Sequence, residues 1–431
     1  MSTLLKRWRV RTIWVVAAVL VLWPHGLAAQ DLELDRGRAH DMLRFVAEDV
    51  EKNFYDPNLN GLDWKSLVSH AQEHIDKAKS RSEMYAAIFF VLSRLQDSHT
   101  FFIPPTRAAE AQFGFEAMPF GDEIRVYKLD KDGVADKAGL KVGDRLVGIN
   151  KFRAERKTWD VMMLDFHVLR PVAVMDVSFV RGNGQVRDVR LEGETKQGLV
   201  VRDWTLNGWN ELRREAAERA SHEEKVRSED YDDGTAYLRV PSFMVEEDKL
   251  DDQVRKVSKS RALIIDLRLN HGGRQDMLTR LAGYFEAEPT VMGELQQRKK
   301  NEQLKIKPQH PALSMPLFVL VDSETGSAAE MFARHFQRSG RARVIGDRTS
   351  GRVNEAKVFS HHSGTDTIVP YGVEVAVGRL ILPGGEELER HGVAPDQLCI
   401  PNADDQVAGR DPCLNIAKTM AAKAGAPTAK P

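Results

Sequence analysis

The sequence predicts an α/β protein with a helical region at its start and a small β-rich module inserted before the main domain. Two apolar runs in the second half, ALIIDLRLN (262–270) and PLFVLV (316–321), are rich in β-branched or bulky residues and typical of strands buried on both faces. TAYLRVPSF (235–243) and RARVIGDRT (341–349) are predicted as further strands, with helical segments between them. Strands that alternate with helices indicate a layered domain with mostly parallel strands.

The first residues predict an export signal. Four basic residues precede an unbroken apolar run at 13–23, and Pro24 and Gly26 end that run. Small residues follow, so we expect residues 1–29 to be removed by cleavage after Ala29 and the protein to be exported, periplasmic or extracellular. The run is too short to span a bilayer comfortably. An uncleaved N-terminal anchor is the alternative, and we expect no other contact with a membrane.

The composition excludes some classes of function. The chain has 431 residues, enough for two or three domains, and a formal net charge of −1. No basic stripe with interleaved aromatic residues is present, so we expect no nucleic-acid partner. Cys399 and Cys413 could pair as a disulfide in an exported protein, the alternative being two unpaired thiols. Neither has a histidine partner at metal-ligand spacing, so we predict no metal site.

Residues 30–108 are predicted to form the helical region. Apolar residues recur at intervals of three and four in HDMLRFVAEDVEKNF and in SEMYAAIFFVLSRL. Ser80 and Glu83 make a capping box for the second helix, which we expect to end at Gln96. His99 follows in the rigid loop DSHTFFIPP. Its ordinary pKa suits a general base, although a histidine at such a place is more often structural or exposed.

Residues 109–200 are predicted to form the β-rich module. Short apolar strands recur there as EIRVYKL, RLVGINK, VMDVSFVR and VRDVRL, with a short helix between the first two. Gly139 ends that helix, and Gly143 supplies the turn that follows.

The sequence of this module, and AGLKVGDRLVGIN above all, resembles that of a PDZ domain. Phe113, Gly114 and Phe115 stand where PDZ domains carry the loop that binds a carboxylate. The resemblance implies capture of an extended peptide or a protein terminus as an added strand. The alternative is a PDZ-shaped lid that only packs against its neighbour.

Composition predicts the character of the two segments that precede and follow the predicted strands at 235–349. The strongly charged stretch at 200–232 is expected to be an exposed helical connector leading into an α/β domain at 201–400. A C-terminal segment at 401–431 follows. Its last part, 421–431, has the composition of a disordered tail.

Ser327 lies where the apolar run at 316–321 turns into a helical segment. A serine nucleophile needs such an exposed bend, because attack on a carbonyl creates an oxyanion that nearby N–H groups must stabilise. Ala328 would provide one of these N–H groups. The competing interpretation is structural, since Ser327 and Glu330 also match the S-x-x-E capping box.

Asn270, Gly272 and Gly273 form an N-x-G-G loop between a strand and a helix. Glycines allow backbone N–H groups to approach a ligand closely, and a helix N-terminus favours negative charge. We therefore expect Gly272 or Gly273 to donate the second N–H of an oxyanion hole. An ordinary turn is the alternative for this loop taken alone.

Together these segments resemble the carboxyl-terminal processing (tail-specific) serine peptidases and their tricorn-like relatives. The resemblance covers nearly the whole chain after the signal, and it rests on the order of the motifs L-x-D-x-H-T ending at Thr100, D-L-R-x-N-x-G-G at 266–273, S-A-x-E at 327–330, G-x-x-T-x-G at 346–351 and G-V-x-P-D at 392–396. It implies a Clp protease/crotonase-like α/β core. It also implies peptide cleavage that uses no metal or cofactor.

One departure from the family concerns the base. The processing peptidases place a lysine where this chain has Arg352, and an arginine cannot give up its proton at a useful pH. The tricorn-like branch uses a histidine from the D-x-H-T loop and a glutamate before G-V-x-P-D, which correspond here to His99 and Glu389. The resemblance therefore implies Ser327 as nucleophile, His99 as base and Glu389 as a supporting charge, with Ser98 orienting the histidine.

These observations lead to one functional hypothesis and one rival. We expect an exported serine endopeptidase or carboxyl-terminal-processing peptidase that cleaves a peptide or protein substrate through an acyl-enzyme on Ser327, with the PDZ-like domain binding or gating the substrate. Glu386 and Glu387 are neighbouring candidates for the role of Glu389. The rival is a catalytically inactive binding protein on the same fold, which the missing lysine motivates.

Overall fold

The computed structural model describes residues 24–105, 109–169, 172–197, 225–309, 311–364 and 369–424. The basic and apolar part of the predicted signal, the end of the predicted tail and most of the charged stretch at 200–232 lie outside the described residues. No helix within those ranges is long and apolar enough to cross a membrane.

The N-terminal region is helical, as predicted. It contains α1 (Pro24–Asn53), a 3₁₀ turn (Leu59–Gly61), α2 (Trp64–Lys77) and α3 (Arg81–Ser93). α1 runs through the expected cleavage point after Ala29. The apolar faces of the three helices pack into one cluster that includes Val46 and Ile88.

The two ends of α3 differ from the prediction. The Ser80 hydroxyl accepts the Glu83 N–H at 3.2 Å, but the Glu83 carboxylate accepts the N–H of Lys79, at 2.7 Å, instead of that of Ser80. The helix ends at Ser93 and not at Gln96, whose φ of 53° lies in the left-handed region and cannot continue a right-handed helix. Strand β1 (Phe101–Ile103) follows the loop that carries His99.

The β-rich module lies between β2 (Ala109–Gln112) and β9 (Glu194–Gln197), which pair antiparallel. It contains β3 (Phe115–Phe120), β4 (Glu123–Leu129), α4 (Val134–Lys137), β5 (Arg145–Ile149), β6 (Phe152–Arg153), α5 (Arg156–Leu164), a π-helical turn (Asp165–Leu169), β7 (Val174–Val180) and β8 (Val186–Glu192). Its antiparallel sheet confirms the predicted strands, and Gly139 and Gly143 take the positive φ that the turns require. The module has an apolar core of its own.

The remaining chain forms the α/β domain and the C-terminal segment. In order, the elements are β10 (Arg227–Asp230), β11 (Thr235–Arg239), α6 (Glu247–Val257), β12 (Ala262–Asp266), α7 (Gln275–Gly283), β13 (Thr290–Gln297), β14 (Asn301–Ile306), β15 (Leu317–Val321), α8 (Ala328–Arg338), β16 (Ala342–Gly346), β17 (Glu355–Ser363), β18 (Val369–Ile381), β19 (Gln397–Leu398), α9 (Ala403–Val407) and α10 (Pro412–Ala424).

The central sheet has the strand order β10-β11-β12-β15-β16-β19. Every neighbouring pair is parallel except β10 with β11, which confirms the predicted parallel layer. The predicted charged helix is wrong for Arg227–Asp230, because these residues pair with β11 as a polar edge strand. Helices α7 and α8 cover one face and α10 the other, so the loops after β12 and β15 meet at the carboxyl edge, where ligands of α/β proteins bind.

A second sheet brings the early loop toward that edge. Its order is β1-β18-β13-β14, with β17 also paired to β18, and all its pairs are antiparallel. Phe102 of β1 lies opposite Val373 of β18. This pairing attaches the loop at 97–100 to the α/β domain.

The C-terminal segment is folded further than its composition predicts. A disulfide joins Cys399, next to β19, to Cys413 in α10, with the two Cα atoms 5.6 Å apart. Helix α10 includes residues 421–424, so the prediction of a disordered tail is wrong there. Ala421 is fully buried against the central sheet, and alanine is also the best helix former.

Candidate active site

Ser327 occupies a strained corner between β15 and α8. It is the N-cap residue of α8, with φ 52° and ψ −121°, a backbone conformation that non-glycine residues rarely adopt. Its N–H donates to the Arg352 carbonyl at 2.7 Å and to the Glu330 carboxylate at 3.1 Å. The strain is typical of nucleophile elbows, in which a sharp turn presents the serine hydroxyl.

Gly272 allows the N-x-G-G loop to lie directly against this corner. A Cβ at Gly272 would lie 2.5 Å from the Cβ of Ser327 and 3.0 Å from the Ala328 nitrogen, so no other residue fits there without movement. The Gly272 N–H donates to the Asn270 side-chain oxygen at 2.8 Å. Asn270 is fully buried and donates in turn to the Val240 carbonyl at 2.9 Å. The Gly272 N–H therefore holds the loop and is not available to an oxyanion.

Gly273 and Ala328 carry the N–H groups that remain for a ligand. Neither N–H has an acceptor within the described part of the chain; that of Ala328 is at the first position of α8, where a helix offers none. Gly273 has φ 138° and lies beside Phe243, whose backbone bridges to it in parallel. Of the two glycines named from the sequence, the geometry favours Gly273 as the oxyanion donor.

His99 is oriented by the residues on either side of it. Its Nδ1 lies 2.9 Å from the Ser98 hydroxyl, and its backbone N–H donates to Asp97 at 2.9 Å. When the ring donates from Nδ1 to Ser98, the lone pair lies on Nε2, the nitrogen that a base would use. Burial lowers the pKa of His99 below its ordinary 6.5, and the charge of Arg352 acts in the same direction, whereas Asp97 and Glu374 oppose the shift.

Glu389 lies beside Ser98, although it is far from it in the sequence. One carboxylate oxygen accepts the Ser98 N–H at 2.9 Å, and the other accepts the Val353 N–H at 3.1 Å. Burial and the charge of Asp97 raise the pKa of Glu389, while hydrogen bonds from Ser98 and Val353 lower it.

The two neighbouring glutamates are engaged elsewhere. Glu386 pairs with Arg334 and Arg338, and Glu387 pairs with Arg379. Of the glutamates considered from the sequence, only Glu389 contacts the histidine loop in the described structure.

The nucleophile and the histidine are connected through the segment at 349–353. No direct hydrogen bond joins the His99 ring to the Ser327 hydroxyl among the described residues. Instead, the carbonyl of Arg352 accepts the Ser327 N–H, and the next N–H, that of Val353, donates to Glu389. The structure thus brings Ser327, Glu389, Ser98 and His99 into one hydrogen-bonded neighbourhood.

The side chain of Arg352 makes ion pairs and is not part of this chain of hydrogen bonds. Its guanidinium lies 3.5 Å from Glu324 and 3.5 Å from Asp160 of α5 in the β-rich module. Burial raises the pKa of Glu324 to about 7, and the charge of Arg352 opposes that shift. Arg352 is therefore an ion-pair partner between the module and the α/β domain.

Sequence reasoning missed the role of Asp322, which directly follows β15. Its carboxylate accepts the Leu269 N–H at 3.0 Å, the Glu324 N–H at 3.0 Å and the Thr325 N–H at 2.9 Å. This carboxylate thus fixes the N-x-G-G loop relative to the loop that carries Ser327. The signal was present, because an aspartate at a strand end that precedes a Ser/Thr/Gly turn commonly accepts backbone N–H groups.

Leu269 and Asp322 also line a cavity of about 400 Å³, between the module and the carboxyl ends of the strands. Tyr127, Asp347 and Cys399 are among its other lining residues. Neither Ser327 nor His99 lines it. The described residues contain no group of three or more His, Cys, Asp or Glu side chains that could hold a metal ion.

The residues expected to bind a carboxylate lie in the module. Phe113 is buried in the module core, Gly114 has φ 74° with its carbonyl accepting the Asp130 N–H at 2.9 Å, and Phe115 begins β3. Further along β3, the Pro119 carbonyl accepts a hydrogen bond from the Ser323 hydroxyl of the α/β domain, at 2.6 Å. Arg156 of α5 pairs with Asp347 at 2.9 Å, in a nearly buried contact.

A strained serine at the start of α8, packed against the N-x-G-G loop and linked by hydrogen bonds to a glutamate-held histidine loop, is an arrangement typical of serine hydrolases. Known families agree with this class. Peptidase family S41 matches residues 234–399, and the tricorn protease C1 domain matches residues 38–89. The part of the chain at 234–399 thus matches the peptidase family that the motifs predicted.

Individual relatives are distant. The chain is 24% identical over 346 residues to carboxyl-terminal-processing peptidase 1, chloroplastic, of Arabidopsis thaliana, which covers 76% of this chain and 65% of the relative. It is 25% identical over 342 residues to the tail-specific protease of Haemophilus influenzae, covering 74% and 46%. The solved structure of mature CPAF has a TM-score of 0.66 at 16% identity and covers 91% and 98%. The matches thus span less than two thirds of either relative, and the structural likeness confirms the predicted fold class.

Proposed function

We propose that this protein is an exported serine peptidase that cleaves peptide bonds through an acyl-enzyme on Ser327. The observation that carries the proposal is the strained Ser327 backbone, with φ 52°, beside the N–H groups of Gly273 and Ala328. Such an arrangement costs stability and is expected where it serves chemistry. Peptide or protein is the substrate class that the family supports.

Each step has a residue to perform it. The Ser327 oxygen bonds to the substrate carbonyl carbon while His99 Nε2 takes the hydroxyl proton, and the N–H groups of Gly273 and Ala328 stabilise the resulting oxyanion. His99 then gives this proton to the departing amine as the peptide bond breaks, leaving an ester on Ser327. Water, deprotonated by the same Nε2, then attacks the ester carbonyl; the bond to the Ser327 oxygen breaks, that oxygen takes the proton back from Nε2, and the carboxylic acid product leaves. Ser98 and Glu389 keep the Nδ1 proton of His99 directed away from the substrate.

A histidine base fits this chain better than a lysine. Arg352 occupies the family's lysine position, stays protonated and pairs with Glu324 and Asp160. The lowered pKa of His99 keeps its ring neutral near physiological pH, as a base requires.

The assignment of domains along the chain is also part of the proposal. We assign 30–108 to a helical region, 109–200 to a PDZ-like domain, 201–400 to the peptidase core and 401–431 to a C-terminal segment. Phe113, Gly114 and Phe115 would belong to the carboxylate-binding loop of the PDZ-like domain. The contacts of Pro119 and Arg156 with the peptidase core support a role for this domain in binding or gating the substrate.

A fluorophosphonate probe tests the proposal directly, because it forms a covalent adduct only with an activated serine. We expect the intact mass of the folded protein to increase by the mass of one adduct. Ser327→Ala should prevent the adduct and lower peptidase activity by at least ~10³-fold. Ser258→Ala is the control, since the hydroxyl of this serine at the end of α6 donates to the Arg255 carbonyl and has no part in the proposed reaction. A native protein that forms no adduct and cleaves no peptide would favour a binding protein instead.

A further inference from the structure

Glu330 collects more hydrogen bonds than a helix cap needs. Its side chain is fully buried in the first turn of α8. One carboxylate oxygen accepts the Thr349 hydroxyl and the Gly351 N–H, the latter at 2.8 Å. The other accepts the Arg352 N–H at 2.9 Å, the Ser327 N–H at 3.1 Å and the Ser350 hydroxyl at 3.2 Å.

The capping box explains only one of these bonds. A glutamate at this position of a helix reaches back to the N-cap N–H, which is here the bond from Ser327. The other four donors come from one loop, 349–352, and each donates to a carboxylate oxygen of Glu330. Burial raises the pKa of Glu330 to about 7, while the hydrogen bonds donated by Thr349, Gly351, Arg352 and Ser327 oppose that rise. In the ionised form both oxygens accept, so an amide of the same shape would place an NH₂ group against N–H donors.

The loop that Glu330 holds touches both halves of the proposed site. The Arg352 carbonyl accepts the Ser327 N–H at 2.7 Å, and the following residue donates to Glu389. The Thr349 hydroxyl, which donates to Glu330, accepts the Val393 N–H at 2.6 Å, close to Glu389 in the chain. A displacement of this loop would thus move the nucleophile and the glutamate of the histidine loop together.

We propose that Glu330 is the positioning residue of this active site: its carboxylate sets the 349–352 loop and thereby the relative placement of Ser327 and the Glu389–Ser98–His99 group. This inference rests on the proposed function for its kinetic consequences. Its structural content, a loop held by one buried carboxylate, stands without them.

Glu330→Gln is the first test. The substitution keeps the size of the side chain but turns one acceptor oxygen into a donor facing N–H groups, which leaves buried donors unsatisfied. We expect kcat to fall ~10- to 100-fold with KM changed by less than ~2-fold, because the chemical step and not substrate capture depends on the loop. The amides of Gly351 and Arg352 should exchange their hydrogens with solvent at least ~10-fold faster.

Glu286→Gln is the matched control. Glu286 is a poorly exposed glutamate that pairs at 2.6 Å with His335 of α8, the helix that carries Glu330. It makes no hydrogen bond to the described 349–352 loop. It should reproduce any general effect of removing a carboxylate near α8 while leaving kcat and the two amide exchange rates unchanged. Equal effects of the two substitutions would overturn the proposal.

Thr349 provides a second test should Glu330→Gln fail to fold. Thr349→Val keeps the shape of the side chain and removes the hydroxyl that links Glu330 to Val393, whereas Thr349→Ser keeps the hydroxyl. We expect the valine variant to lower kcat and to accelerate exchange at Gly351, and the serine variant to behave nearly as the parent. Indistinguishable valine and serine variants would contradict the role of this bond network.

Failure of the proposed function and failure of this inference give different results. If the parent protein never reacts with the fluorophosphonate probe, the peptidase proposal fails, and the exchange rates of the 349–352 amides still decide what Glu330 does. If the parent reacts but Glu330→Gln leaves kcat and exchange unchanged, Glu330 is only a cap, and the inference is wrong.

Discussion

The nucleophile corner, at 270–273 and 325–328, and the histidine loop, at 97–100, are held in different ways. The corner is stabilised by nearby segments of the central sheet: Gly326 donates to the Asn270 carbonyl at 2.8 Å, and Thr325 donates to the Leu267 carbonyl at 3.0 Å. The histidine loop depends on distant segments, since Asp97 accepts from Asn354 at 2.7 Å and Glu389 accepts from Ser98 at 2.9 Å.

This difference has a physical consequence. A corner built at the ends of adjacent parallel strands forms when the sheet forms, whereas the histidine loop is correctly placed only after several separated segments have packed. Close glycine packing and hydrogen bonds between neighbouring segments maintain the first, whereas side-chain hydrogen bonds between distant segments maintain the second. Substitutions in the corner should therefore affect folding and activity together, while those in the histidine loop should affect activity alone.

The largest effect that separates the two regions is expected for His99→Gln. Glutamine cannot act as a base, so kcat/KM should fall ~10³-fold or more, with little change in the melting temperature because His99 belongs to a loop and to no apolar core cluster. Peptide hydrolysis and calorimetry measure the two quantities. His362→Gln, at an exposed position of β17, serves as the control. Full activity in His99→Gln would mean that another group is the base.

Gly272→Ala should damage activity and stability together. The new Cβ would lie 2.5 Å from the Ser327 Cβ, so the corner must open and displace the oxyanion donors; we expect a loss of ~10²-fold in kcat/KM and a lower melting temperature. Gly139→Ala is a matched control for backbone strain, because Gly139 has a similar φ of 94° but no atom near its Cβ position. It should cost only ~1–2 kcal/mol of stability. Equal activity in the two variants would show that the close approach at Gly272 is unimportant.

The smallest expected effect is a shift of the pH profile. Burial lowers the pKa of His99 below 6.5, so the base is neutral at pH 7 and its contribution to kcat/KM should be lost as the pH decreases through that lowered pKa. Because the positive charge of Arg352 contributes to the lowering, Arg352→Gln should move this acid limb to higher pH. Titration of the His99 Cε1 proton by NMR should follow the same shift.

Arg343→Gln provides the control for that shift, since Arg343 is exposed on β16 and its removal changes the net charge equally. It should leave the profile where it is. A limb that does not move in Arg352→Gln would indicate that His99 does not limit activity at low pH.

The outcome for individual residues shows where sequence reasoning succeeds. Ser327 and the N-x-G-G loop could be found because a buried strand, a turn and a helix follow one another within a few residues. Local patterns could not tell that the Gly272 N–H is taken by Asn270, which leaves Gly273 as donor. Nor could they show that Glu330, identified as a cap, also holds the loop at 349–352.

The sequence by itself determined the class of fold, the strand–helix corner with its serine, and the resemblance to a peptidase family, because these depend on periodicity, turn chemistry and motif order within short segments. Only the tertiary structure decided that Glu389, and neither Glu386 nor Glu387, meets the histidine loop, and that β18 receives the strand following His99. Contacts across hundreds of residues depend on how separate segments pack. That packing, and not the local preference of each residue, determines which backbone groups are left without a hydrogen-bond partner.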